Sequence, residues 1–180
     1  MTLAELLKNK LTIGGIWIDS SQTEEHRHRF WLESTKKKCR KIRYKTRNGM
    51  KEVLFPKQVK LHEILALYIK ELYGDGMFYA PIVEGDITHY YLICIKDDCV
   101  ISPIDTIITE GMLSYILSQK DTSIYGSLDV TVINDDIFDA IYEEYLNQEK
   151  KYRNTIIKVS AAIACGISIF TIIIYILSLY

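Results

Sequence analysis

His26 and His28 form an H-x-H pair, a spacing that binds a metal when a strand turns both rings to one side. No third ligand stands at a matching spacing, and Arg27 and Arg29 crowd the pair with positive charge, so it reads as a solvated polar loop. Cys94 and Cys99 flank a turn sequence with four residues between them, and no second cysteine pair completes a zinc site. They read as two small core residues. Asp97, Asp98 and Asp105 are acidic positions read as loop residues, of the kind that hold a divalent cation weakly. The chain carries no Walker-type glycine loop, no G-x-S-x-G and no H-E-x-x-H. No catalytic, cofactor or metal residue is assigned, and the expectation is a protein that is not an enzyme.

Binding chemistry is concentrated in the run from Lys36 to Lys51, which holds nine basic residues and no acid. Within it Lys41, Arg43, Lys45 and Arg47 alternate with Ile42, Tyr44 and Thr46, the period-2 pattern of a half-buried strand. Those four cations are the candidate partner-binding residues. They suit an acidic protein partner or anionic lipid headgroups. Nucleic acid is not expected, because only Tyr44 and Trp31 offer a stacking surface. The plainer alternative is an edge strand whose lysines block unwanted sheet pairing.

The surrounding pattern alternates strands and helices irregularly, which predicts a mixed α/β layer fold. Residues 1–11 read as a short amphipathic helix with no secretory signal, and 12–18 as a buried strand. Residues 27–32 are expected to form a second strand. Asn48-Gly49 signals a hairpin, with 51–56 returning as the partner strand. Apolar positions 61, 64, 65, 68, 69 and 72 predict a helix stopped by Gly74-Asp75-Gly76. Residues 77–83 read as a strand, and 89–95 with 99–101 as a hairpin about Lys96-Asp97-Asp98. Asp105 or Thr106 is expected to cap a helix reaching about Gln119. Residues 124–133 alternate loosely, and Asn134-Asp135-Asp136 opens an acidic helix expected to run on without a break into the last segment.

That segment, Val159 to Tyr180, has no charged residue in 22 positions. At about 1.5 Å per residue it spans about 33 Å as a helix, matching a hydrocarbon core of roughly 30 Å. Lys150, Lys151, Arg153 and Lys158 precede it, so the preceding domain is expected to face the cytoplasm and Tyr180 the outer side. Ala161, Ala162, Ala164, Gly166 and Ser168 make its first half narrow enough to pack on another membrane helix. The organisation read is a cytoplasmic domain over 1–150, a basic juxtamembrane segment over 151–158 and a transmembrane helix over 159–180. Cys39, Cys94 and Cys99 are expected to stay reduced in that compartment.

Net charge is −1, yet residues 1–60 hold fifteen Lys/Arg against six Asp/Glu, and residues 61–149 hold three against seventeen. A chain divided this way either presents two oppositely charged surfaces to neighbours or neutralises them against each other in the fold.

Residues 13–21, IGGIWIDSS, resemble the opening strand of actin-like folds, where an apolar strand ends in Asp before a phosphate-holding glycine turn. Here Ser20-Ser21-Gln22 replaces that turn and no second D-x-G phosphate motif follows, so nucleotide binding is not carried over. Degenerate actin-like cytoplasmic domains occur in inner-membrane assembly components of type II secretion and type IV pilus machines. The plan of this chain, a cytoplasmic domain followed by one span, is similar to the bundle-forming pilus branch of that family. The resemblance implies a scaffold in a bacterial inner membrane that links a cytoplasmic assembly ATPase to a polytopic inner-membrane pilus protein. The competing expectation is a tail-anchored regulatory protein of a virus or a eukaryotic membrane.

Overall fold

A computed structural model describes residues 2–18 and 26–178. Asp19–Gln22, at the end of the stretch expected to resemble an actin-like opening strand, and Tyr180 lie outside the described residues, as do the side chains of His26 and His28. The chain forms two units, Met1–Tyr142 and Glu143–Tyr180. The fold is mixed α/β with two sheets and a long C-terminal apolar helix.

In the first unit, α1 (Leu3–Lys8) opens with a capping box in which Thr2 and Glu5 each accept from the other's backbone N–H. Leu3 and Leu6 bury its inner face. The first sheet contains β1 (Ile16–Ile18), β2 (Cys39–Thr46) and β3 (Gly49–Pro56) in the antiparallel order β1-β3-β2. Its inner face carries Trp17, Ile42, Tyr44, Val53 and Phe55, all buried. The Trp17 ring meets Tyr44 edge-on at 5.2 Å and Phe55 at 6.4 Å.

Between β1 and β2 lies α2 (His26–Lys38). The strand expected over 27–32 is therefore helix. The six residues of R-H-R-F-W-L do not sustain an alternation, whereas the residues after them favour a helix. Lys36 pairs with Glu33 at 2.7 Å with i, i+3 spacing. Lys36, Lys37 and Lys38 fill the last turn, where cations complement the helix dipole. Those three lysines consequently belong to α2 and not to the basic strand.

The second sheet has the order β6-β5-β4-β7, built from β4 (Gly76–Glu84), β5 (Ile87–Lys96), β6 (Cys99–Thr109) and β7 (Val130–Val132). Residues 124–133 contribute only those last three strand residues, because Ser123 and Tyr125–Leu128 are taken up in turns. One face of the sheet packs Met77, Leu92 and Cys94 against Leu113 of α4 (Glu110–Gln119) and Leu128. The other face presents Tyr91, Ile93 and Asp105.

The helix expected from 61 to 73 starts as a 3-10 turn, Leu61–Glu63, breaks at Ile64 and resumes as α3 (Leu65–Tyr73). The break occurs because Ile64 is extended and bridges Thr12, with Leu65 N donating to the Thr12 carbonyl at 3.0 Å. Gly74, at φ +71°, ends α3 in a conformation open to glycine.

Asp105 caps no helix. The β-branched run Ile107-Ile108-Thr109 extends β6 through residue 109, and the Thr109 hydroxyl caps α4 by accepting from Met112 N at 3.3 Å. Asp105 is 2% exposed and joins the two sheets. Its Oδ2 accepts from Gly15 N at 3.0 Å and Trp17 Nε1 at 2.9 Å, and its Oδ1 accepts from the Tyr91 hydroxyl at 2.9 Å. The close approach at Gly15 needs the missing side chain. A Cβ there would stand 2.5 Å from the Phe55 ring and 2.8 Å from Val53. Gly15→Ala should destabilise the protein by about 1–3 kcal/mol through overpacking, read as a lower unfolding temperature; an unchanged transition would refute the tight contact.

The last element, α5 (Asp135–Ser178), is one uninterrupted helix of 44 residues, as the missing breaker predicts. Asn134 caps it, its Oδ1 accepting from Ile137 N at 3.1 Å.

Candidate partner-binding surface

The site is built on the β2–β3 hairpin. Thr46 pairs with Gly49, so Arg47 and Asn48 occupy the turn, one residue earlier than the Asn48-Gly49 signal suggests. Gly49 takes φ +117° directly after it. The register turns Ile42, Tyr44 and Thr46 inward, where they are buried, and Lys41, Arg43 and Lys45 outward. β2 is an edge strand, with no further sheet neighbour among the described residues.

Charge on this face is only partly balanced. Glu52, opposite Arg43, accepts from Lys41 Nζ at 2.9 Å and from Arg43 Nε at 3.3 Å. The Lys41 hydrogen bond holds the Glu52 carboxyl below its ordinary value, against its partial desolvation. A single carboxylate thus stands against two cations, with Lys45 and Arg47 beyond it. Met50 faces Lys45 across the hairpin and is 60% exposed, an apolar knob among lysines.

The tip of the hairpin is fixed from the second sheet. Asp98 Oδ2 accepts from Arg47 N at 2.7 Å, and its Oδ1 accepts from Lys70 Nζ at 2.6 Å. Burial raises the Asp98 carboxyl, but Lys70 and the Arg47 amide outweigh it and hold it below its ordinary value. Asp97 and Asp98 both take positive φ, +54° and +62°, in the β5–β6 turn. Their amides donate to Asp75 Oδ2 and Oδ1 at 3.0 and 2.8 Å. Arg47 therefore contributes its backbone N–H to the anchor, and its guanidinium charge adds to the attraction on Asp98.

The other chemical candidates fall in different places. Asp97 and Asp98 shape a turn, and Asp105 lies between the sheets, so the three do not form one cation site. Among the described residues no cluster of three metal-capable side chains occurs. Cys94 is buried in the core, and burial pushes its thiol up to about 12, far from a reactive thiolate. Cys99, at the start of β6, is half-buried.

Val159 and Gly166 lie in the exposed stretch of α5. That helix is long and apolar enough to cross a membrane; its most apolar 18 residues have a mean hydropathy of 2.2 and none is buried. Two features were missed by sequence reasoning. One is Met50: a methionine directly after a turn within a basic run marks an exposed apolar knob. The acceptor role of Asp105 left no local signal. No protein-family model, curated protein or solved structure matches the chain.

Proposed function

We propose that the protein is a membrane-anchored adaptor whose first unit works at the cytoplasmic surface of a bacterial inner membrane. The observation that carries this reading is the exposed apolar stretch at the end of α5. The four cations at 150–158 support the orientation, since Lys and Arg beside a span stay cytoplasmic. An exposed basic hairpin fixed at its tip supports a docking role. A pre-ordered surface loses little conformational freedom on binding.

By resemblance, the first unit is a degenerate actin-like domain, and the chain is similar in plan to bundle-forming pilus biogenesis protein C. Its partners in this reading are a cytoplasmic assembly ATPase and a polytopic inner-membrane pilus protein, and it needs no nucleotide of its own. Of the Ile13–Ser21 stretch that carries the resemblance, the three residues Ile16–Ile18 form β1.

A gentle-detergent pull-down of the tagged full-length chain from its host, read by mass spectrometry, tests this. Recovery of an assembly ATPase and a polytopic membrane protein is expected; recovery of neither sinks the pilus reading. Replacing Lys41, Arg43, Lys45 and Arg47 with Glu should reduce that recovery by about tenfold or more. The fold should persist, because exposed ion pairs such as those to Glu52 contribute under about 1 kcal/mol. Full recovery with the four-fold variant would clear this face of any docking role.

A further inference from the structure

β7 pairs with β4 only over Met77–Tyr79. Beyond that point a cavity of about 610 Å³ opens against β4. Leu3, Ile82, Ile133 and Phe138 give it apolar walls, and Asp135 and Asp136 stand exposed at its rim. Among the described residues no Lys or Arg lines it. Pro81 also lines it and offers no N–H, so this stretch of β4 is poorly suited to pairing with an added strand. The cavity is shaped for an inserted apolar side chain flanked by positive charge.

The chain carries that chemistry itself. Met50 projects from the hairpin with Lys45 opposite and Arg43 two residues further along the same face. We infer that the β2–β3 hairpin of one copy docks on this cavity of a second copy, Met50 entering the apolar walls while Lys45 and Arg43 meet Asp135 and Asp136. The inference rests on the reading of the hairpin as a docking face and names its partner. Methionine fills an irregular apolar cavity readily. Opposite charges around it fix the register and make the contact sensitive to salt. Copies anchored in one bilayer share an orientation and meet at high effective concentration. Because hairpin and cavity are different surfaces, each added copy leaves one of each free. Association of this kind closes into a ring or continues as a row. Such a row would present many copies of the first unit to a soluble partner.

The test uses the full chain in its host membrane with the photo-crosslinker p-benzoylphenylalanine placed at Met50. Irradiation is expected to give a dimer adduct whose joined peptides contain residues 81–83 or 132–138. Arg43→Glu with Lys45→Glu should cut the adduct about tenfold, and Asp135→Lys with Asp136→Lys should do the same. All four changes in one chain should restore it, since both sides of the proposed contacts between Arg43, Lys45 and Asp135, Asp136 are then reversed, while Glu52 is unchanged in both the two-fold and the four-fold variant. All these side chains are exposed, and circular dichroism of each variant checks the fold. An adduct with a different protein alone would overturn self-docking and leave the docking face standing. No adduct of any kind would overturn both. Failure of the four-fold swap to restore the dimer would overturn the assigned pairing.

Discussion

The Asp105→Ala protein should unfold about 10 °C below the wild type. Three donors converge on this carboxylate: the Gly15 amide, the Trp17 indole and the Tyr91 hydroxyl. Alanine leaves all three facing a small void. Each orphaned buried donor costs about 1–3 kcal/mol, with partial relaxation, so a total of about 3–5 kcal/mol is expected. Domains of this size have a margin of only about 5–15 kcal/mol. Asp105→Asn should be much milder, about 1 kcal/mol, since its carbonyl oxygen can accept from Gly15 and Trp17 while its amide donates to the Tyr91 oxygen. Thermal unfolding of full-length protein in mild detergent, followed by near-ultraviolet circular dichroism, reads both variants. Equal losses for Ala and Asn would show that an amide cannot take over the hydrogen bonds of this carboxyl group and would refute the proposed exchange.

The same pair of proteins gives a pH signature. Burial pushes the Asp105 carboxyl above its ordinary value of 3.8, against the pull of the Gly15, Tyr91 and Trp17 donors. The folded state therefore keeps this proton to higher pH than the unfolded state does. The associated stability is fully present below about pH 4 and is lost as pH rises through the folded value. Asparagine does not titrate, and other carboxylates cancel in the comparison. The deficit of Asp105→Asn relative to wild type should narrow as pH rises above about 4. A gap that widens would contradict the raised value.

Removing residues 159–180 should move the chain almost completely from the membrane fraction to the supernatant. Eleven Ile, Leu, Val and Phe residues occupy that stretch and no charge interrupts it. At about −0.3 to −0.6 kcal/mol each near a helix centre, they favour insertion by roughly 3–7 kcal/mol. The truncated protein should remain folded, because the sheets and their core lie in the unit Met1–Tyr142. Carbonate extraction and size-exclusion chromatography check the two halves of this expectation. A full-length chain already found in the supernatant would remove the membrane reading, and an aggregated fragment would refute an independent first unit.

Local chemistry was readable wherever neighbouring residues supplied the cause. The alternation from Lys41 to Arg47, the Asn48-Gly49 signal, which lies within one residue of the observed turn, and the Asp97-Asp98 turn each mark a hairpin within a dozen residues. Gly74 stops α3, and the uncharged stretch after Lys158 marks the apolar end of α5. Where the cause lay far away, reading failed. An aspartate before β-branched residues looks the same whether it caps a helix or accepts from Trp17, 88 residues distant. Ile64 has helical neighbours and is pulled out of the helix by Thr12. The segment 27–32 was too short to separate strand from helix until Glu33 and Lys36 were seen to pair. The cavity beside β4 combines α1, β4, β7 and α5, which no window of sequence contains.

The Asp105 junction also sets an order of events during synthesis. The β2–β3 hairpin closes as soon as its own residues are available, since its pairings are local. Trp17 and Gly15 emerge early, yet their shared acceptor is translated 88 and 90 residues later. Until then the indole and the Gly15 amide have only water or transient contacts. The first sheet thus spends much of elongation as an unfinished surface. The sealing of its inner face is a late step, and the long apolar helix α5 is translated only after it.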